Sequence, residues 1–387
     1  MSSHGIARSS TTVRSGKARE ADLLKIKEYN TLVAEVQDLK SSNEYTKETL
    51  TKTSTLLSQN PEFNTIWNYR RRIILHLLSL LPLEDEKLSL ITSELRYLLP
   101  LLQSYPKCYW IWNYRIFLLQ TASAQLSHAS GLKVWKAEMS LVDKMLGRDS
   151  RNFHGWGYRR YVVNNIEGLV SQAQKGNDNA KGEPPAAAAA EVNTSGTGSK
   201  VVKEEGESSM VESEFAYTSE MYKKSLSNFS AWHNRSKLIS RLLAERGASK
   251  EERETFLDGE LGIMQEALFT DPYDQSLQLY NHWLISATCS PRQSVPESEI
   301  VDLVPSEKME ILVRTMEWMK ELLEEEPECR LLLEELIFIG GLMRGLVAEG
   351  GLDANDEVVV EMKIWLEKLM QVDPMRMGRW KEMAEKL

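Results

Sequence analysis

Residues able to hold a metal or move a proton near neutral pH are sparse in this chain. The six histidines are His4, His76, His128, His154, His233 and His282. None has the His-x-x-x-His or His-Glu-x-x-His spacing that puts two imidazoles on one helical face. The three cysteines, Cys108, Cys289 and Cys329, form no Cys-x-x-Cys pair. They are too few for a disulfide framework, which predicts reduced thiols and an intracellular protein. There is no Gly-x-x-x-x-Gly-Lys loop and no Gly-x-Gly-x-x-Gly fingerprint to cradle phosphates. An Asp-Asp-x-x-Asp run that could carry Mg²⁺ is also missing. Metal binding within the chain is therefore not expected. By its residues alone, Lys107 is a surface lysine after a proline, and His154 sits where a helix-start imidazole satisfies a backbone group. The runs Glu204-Glu205 and Glu324-Glu325-Glu326 read as solvated faces.

The elements that position these residues read as helices. From Ala21 to the C-terminus, apolar residues recur at helical spacing, as in Leu32, Val33, Val36 and Leu39. Period-two alternation is nearly absent, and short breaks carry proline at Asn60-Pro61, Leu81-Pro82, Tyr105-Pro106, Asp271-Pro272 and Glu326-Pro327. The expected class is all-α. Residues 1–20, rich in Ser, Thr and basic groups, are expected to form a mobile arm. Residues 171–213 hold Pro184-Pro185, five alanines and almost no large apolar side chain. Such a segment cannot bury enough surface to offset its ordering entropy, so it is expected to be a disordered insert. Helical repeats are expected over 21–170 and 214–303, with C-terminal helices over 304–387 capping the array. The 387 residues carry 47 basic and 56 acidic groups, a formal charge of −9. That balance argues against a general nucleic-acid binder. The longest greasy stretch, Ile73–Leu83, contains His76, Ser79 and Pro82 and is too short to span a membrane.

One box repeats. It stands as Phe63-Asn-Thr-Ile-Trp67-Asn-Tyr-Arg70-Arg, Tyr109-Trp-Ile-Trp112-Asn-Tyr-Arg115, Phe153-His-Gly-Trp156-Gly-Tyr-Arg159-Arg and Phe229-Ser-Ala-Trp232-His-Asn-Arg235. Successive tryptophans are 45, 44 and 76 residues apart, and the insert accounts for the long gap. A degenerate fifth copy has Gln278 at the Trp position, with His282 where Arg should be. A sixth candidate starts at Glu326-Pro327-Glu328-Cys329. Trp67, Trp112, Trp156 and Trp232 are expected in the core. The aromatic three or four residues before each Trp is expected on the same helical face. Arg70, Arg115, Arg159 and Arg235 join that face and can reach a carbonyl or carboxylate of the neighbouring unit. Each Trp buries roughly 150–250 Å², more than one helix pair can cover. Stacked pairs can, and the expected result is a right-handed α-α superhelix of about five to six helical-hairpin repeats.

This box, in register about every 45 residues of an all-helical chain, resembles the repeat of protein prenyltransferase alpha subunits from about Glu44 to Ser286. Within that family, Asn60-Pro-Glu-Phe-Asn-Thr-Ile-Trp, Arg151-Asn-Phe-His-Gly-Trp-Gly-Tyr-Arg-Arg and Asp271-Pro-Tyr-Asp-Gln-Ser are similar to the type II, Rab-modifying alpha subunits in their compact, fungal-like form. The His4-Gly5 start is similar too. The resemblance implies a heterodimer in which a beta subunit binds geranylgeranyl diphosphate and holds catalytic zinc. It implies a cytoplasmic enzyme that transfers geranylgeranyl as a thioether to C-terminal cysteines of Rab GTPases presented by an escort protein. It also carries roles onto three residues. Lys107 matches the lysine that meets the leaving diphosphate. Tyr109 would be a second donor beside it, and His154 matches a position facing the same cleft.

Trp110 departs from the glutamine that the farnesyl and type I enzymes place after that tyrosine. This favours the type II reading over the alpha subunit shared by farnesyltransferase and geranylgeranyltransferase I. The alternative from another class is a non-catalytic α-solenoid scaffold, which has no need of a Lys-x-Tyr at the box.

Overall fold

A computed structural model of the chain describes residues 16–180, 209–290, 300–348 and 356–387. Among the described residues there are fifteen α-helices, one 3-10 turn and no strand. The chain divides into two compact units, Met1–Ser199 and Lys200–Leu387.

The first unit contains α1 (Gly16–Ser41), α2 (Lys47–Gln59), α3 (Asn64–Ser79), α4 (Glu84–Ser104), α5 (Tyr109–Gln125), α6 (His128–Arg148) and α7 (Phe153–Ala180). The second contains α8 (Val211–Lys224), α9 (Phe229–Glu245), α10 (Lys250–Thr270), α11 (Gln275–Cys289), α12 (Pro305–Glu325), α13 (Arg330–Ala348), α14 (Asp356–Val372) and α15 (Met377–Glu385). Local chemistry sets many starts. Thr46, Ser127, Asn228 and Asp274 each accept a hydrogen bond from a first-turn amide of the helix that follows. Ser249 and Glu252 close a reciprocal capping box at α10.

Each box lies at the start of the second helix of a hairpin, and its polar groups are used in the same way each time. The indole N–H of Trp67, Trp112, Trp156 and Trp232 donates to the carbonyl six residues earlier, at 2.7–2.9 Å. All four indoles are buried. In the fifth copy Gln278 makes the same bond with its side-chain amide, to Pro272 O at 3.2 Å. The arginines reach carboxylates on the next first helix. Arg70 forks onto Glu94 with two bonds of 2.8 Å. Arg115 does so onto Glu138, and Arg235 onto Glu260. The tyrosine of the following box donates to the same carboxylate: Tyr114 to Glu94, Tyr158 to Glu138 and Tyr280 to Glu260. Burial beside that carboxylate pushes these phenols well above their usual range, so they stay donors. Arg159 instead contacts Asp143 on the preceding helix. Three of the four tryptophan rings also pack on the next tyrosine, with centroids 5.0, 5.0 and 4.8 Å apart for Trp67–Tyr114, Trp112–Tyr158 and Trp232–Tyr280.

Five expectations change. Tyr109, Phe153 and Phe229 do not share the tryptophan face and are 51 %, 69 % and 49 % exposed. Each is the first residue of its helix, before the turn that packs. In the fifth copy Asn281, not His282, stands three residues after Gln278, in the arginine place. Helix α1 starts at Gly16, inside the stretch expected to be a mobile arm, because residues 17–20 are good helix formers without apolar periodicity. Helices α7 and α8 likewise take residues 171–180 and 211–213 from the expected insert. Residues 1–15 and 181–208 lie outside the described residues. Finally, the 304–387 segment is more than a cap. Helices α12 and α13 form a further hairpin, and Cys329 Sγ donates to Pro272 O as Cys108 Sγ does to Pro61 O.

Candidate functional site

The turn between α4 and α5 carries Lys107, and its main chain is fixed on both sides. Pro106 O accepts from Trp112 Nε1 and from Asn152 Nδ2, each at 2.9 Å. Cys108 N donates to Tyr105 O at 3.0 Å. The Lys107 side chain, by contrast, is 65 % exposed, and its ammonium lies 3.9 Å from Asp149 Oδ2. At that distance and exposure the pair is weak and leaves the ammonium free to move to another anion.

Asn152 also builds the neighbouring helix start. Its side-chain oxygen accepts from the amides of His154 and Gly155 at 3.1 and 3.2 Å. A Cβ at Gly155 would stand 2.9 Å from Leu146 Cδ2, so a larger residue there would make the Leu146 side chain shift. The first turns of α5 and α7 thus flank Lys107, and the positive ends of the two helix dipoles favour negative charge there.

Tyr109 opens α5 with its ring exposed. Its hydroxyl accepts from Asn113 Nδ2 at 3.2 Å, which leaves its own proton free to donate. Arg71 holds Asn113 and Asn68 through their side-chain oxygens. The His154 ring lies 6.2 Å from Tyr109 and 4.0 Å from Phe153, centroid to centroid. Burial lowers its pKa, opposed by Glu62 and by the main-chain carbonyl of Lys107, so the ring is neutral at pH 7. Trp110 packs edge-on against Tyr109 at 5.2 Å.

Lys107, Tyr109 and His154 are therefore brought together at two helix N-termini. Trp67, Trp112, Trp156, Trp232 and their arginines lie apart from this patch, in the repeat core. Arg71 and Asn113 orient Tyr109 and were not singled out by sequence reasoning. The only signal for Arg71 is the doubled arginine of the first box. The patch is not uniformly positive, since Glu62 and Asp149 border it.

The donor set does not fit a zinc ion. Among the described residues no three His, Cys, Asp or Glu groups gather closely enough to hold a metal. All three cysteines are buried. Burial pushes the Cys108 thiol up to about 11 and the Cys289 thiol up to about 12, and it raises Cys329 as well. No helix among the described residues is long and apolar enough to cross a membrane.

Residues 46–77, 91–122, 135–166 and 211–242 match the protein prenyltransferase alpha subunit repeat. The chain is 35 % identical over 283 residues to geranylgeranyl transferase type-2 subunit alpha of Saccharomyces cerevisiae, covering 73 % of this chain and 72 % of that protein. It is 32 % identical over 388 residues to the Schizosaccharomyces pombe protein of the same name, covering 99 % and 98 %. Among solved structures, Candida albicans protein geranylgeranyltransferase-I complexed with GGPP shares the fold, with a TM-score of 0.56 and 17 % identity over 93 % of this chain and 90 % of that one. The repeated clamps and these matches together place the chain in the protein prenyltransferase alpha subunit family.

Proposed function

We propose that this chain is the alpha subunit of a type-2 geranylgeranyl transferase, active as a heterodimer with a beta subunit. The observation that carries the site assignment is Lys107: its main chain is clamped and its exposed ammonium is held only weakly, by Asp149, between the N-termini of α5 and α7. In the proposed reaction a Rab cysteine attacks C1 of geranylgeranyl diphosphate, a carbon–sulfur bond forms, and the C1–O bond breaks with diphosphate leaving. Negative charge grows on the bridging oxygen. The Lys107 ammonium leaves Asp149 to meet that charge, and the Tyr109 hydroxyl donates beside it. Asn113 and Arg71 hold Tyr109 in place. The neutral His154 ring, against the Lys107 main chain, positions the turn.

Zinc that would activate the cysteine thiol is assigned to the beta subunit, because no donor set among the described residues of this chain fits it. Rab presentation by an escort protein is part of the same proposal, and its support is the naming of the yeast relatives.

The test is a reconstituted heterodimer carrying Lys107→Ala, assayed in a single turnover with saturating geranylgeranyl diphosphate. The heterodimer should remain intact while the chemical step slows by about 100-fold or more. An unchanged rate would remove Lys107 from the mechanism. Transfer should reach a Rab with its escort protein and not a CaaX peptide; transfer to the peptide alone would move the chain to the type I assignment.

A further inference from the structure

The acidic excess of the chain is unevenly placed. Residues 1–199 carry 25 basic and 19 acidic groups, whereas residues 200–387 carry 22 and 37. In the first unit, basic groups gather on one helix face. Lys133, Lys136, Lys144 and Arg148 are all exposed on α6. At 3.6 residues per turn they fall within about 120° of one another, along about 22 Å of the axis. The same face exposes Ala129, Ala137, Ser140 and Gly147, so the four cations stand above small neighbours.

This arrangement works against the helix that carries it. None of the four cations makes an ion pair among the described residues. No carboxylate stands three or four residues from any of them. Lys136 follows Lys133 by three residues and Arg148 follows Lys144 by four, and like charges at those spacings destabilise a helix. Other helices of the chain place the opposite charge there, as in Arg241–Glu245, Lys250–Glu254 and Arg330–Glu334. The helix dipole offsets Arg148 in the last turn but does not reach Lys133 or Lys136. The carboxylates bordering the face are engaged. Asp143 meets Arg159, Asp149 lies by Lys107, and Glu84 accepts from Ser127. The repeat needs Val134, Trp135 and Glu138 on the buried side of α6 and nothing basic on this one.

We propose that the solvent face of α6 docks the protein on an anionic phospholipid surface. Cations raised above small residues offer positive charge in one plane, and an anionic bilayer presents negative charge in one plane. A nucleic-acid strand calls for stacking aromatics, and a protein segment for an aromatic or large apolar anchor. The face exposes neither. With no apolar side chain to insert, attachment is electrostatic and reversed by salt. The acidic remainder of the chain does not prevent it, because at physiological salt a surface charge acts over only about 8 Å.

The test co-sediments the full chain with two kinds of vesicle in about 0.1 M salt: phosphatidylcholine alone, and phosphatidylcholine with about one-third phosphatidylserine. The chain should bind only the second, and about 0.5 M salt should release it. Each cation removed should weaken binding about five-fold, so Lys133→Gln with Lys144→Gln should weaken it about 25-fold. Lys133→Arg with Lys144→Arg should bind as the wild type does. Lys363→Gln with Lys381→Gln removes the same charge from exposed positions of α14 and α15 and should leave binding unchanged. Circular dichroism confirms that each variant is folded. The proposal is overturned by equal sedimentation with both vesicles, or by unchanged affinity when Lys133 and Lys144 become glutamine. A loss of equal size in either of the other two variants also overturns it. So does an RNA oligonucleotide or a polyglutamate peptide that binds through Lys133 and Lys144 while the vesicles do not.

Discussion

Lys107 separates two jobs that a single residue rarely combines. The Pro106 carbonyl just before it accepts two hydrogen bonds, while its side chain is exposed and only weakly paired with Asp149. Tyr109 depends on the same arrangement, so Tyr109→Phe should slow the chemical step by about ten-fold without loss of melting temperature, as read by single-turnover assay and thermal denaturation. Neither role was visible in residue types alone: Lys107 follows a proline like many surface lysines, and only its likeness to a family motif marked it. Arg71 and Asn113 escaped notice because their work is to orient another side chain, which leaves no spacing signal. His282 gives a prediction of another kind. Its hydrogen bond to Glu335 raises the imidazole pKa against the effect of burial, and burial raises the Glu335 carboxyl despite the imidazole. Both groups bind protons more tightly folded than unfolded. The His282 contribution is thus complete below its unfolded pKa of about 6.5 and is lost as pH rises through the higher folded value. The melting-temperature gap between wild type and His282→Gln should shrink as pH rises from about 6 to 8; a gap that widens would show that the pair does not couple in this sense.

At the scale of the element, the carboxylate clamp decides stability. Glu94, Glu138 and Glu260 are each the eleventh residue of a 21-residue first helix. Sequence reasoning found the arginines and left their carboxylates unidentified, because glutamate is common on helices and these three have no distinctive neighbours. The tryptophans were legible because Trp is rare and its spacing is regular. The last hairpin was nearly illegible, since Leu333, Glu335 and Leu336 stand where Trp, Tyr and Arg stand in earlier copies. Only Glu326-Pro327 and Cys329 marked it. Removing one partner of a buried pair strands the other charge. Arg115→Ala should therefore cost about 3–5 kcal/mol in chemical denaturation, whereas Arg115→Met with Glu138→Leu should cost far less. Trp112→Ala should cost a similar amount, roughly 3–5 kcal/mol, through the cavity it leaves. A native-like melt for Trp112→Ala would show that the repeat does not rest on its indole.

For the molecule as a whole, the all-α class followed from the 3.6 period and from proline at the breaks, and the fold has that class. Its division into two units was hidden, because the same box occurs on both sides of the low-complexity stretch. Each unit has its own stacked hairpins and buried tryptophans. Expressed separately, residues 16–180 and 209–387 should each give helical circular dichroism and a cooperative melt. A featureless melt from either would mean that its core is not self-sufficient.

Where an arginine meets the next hairpin's carboxylate, as at Arg70, Arg115 and Arg235, the repeat resembles a monomer of a head-to-tail polymer. One end offers a guanidinium, the other a glutamate already met by its own hairpin's phenol. Such a unit can be duplicated without redesign, because every new copy brings both halves of the linkage. A growing chain of this kind needs a terminator. The fifth and sixth copies provide it: Asn281 replaces the arginine, and on α12 Thr315, again the eleventh residue, replaces the glutamate. With both reactive ends silenced together, no buried charge is stranded and propagation stops.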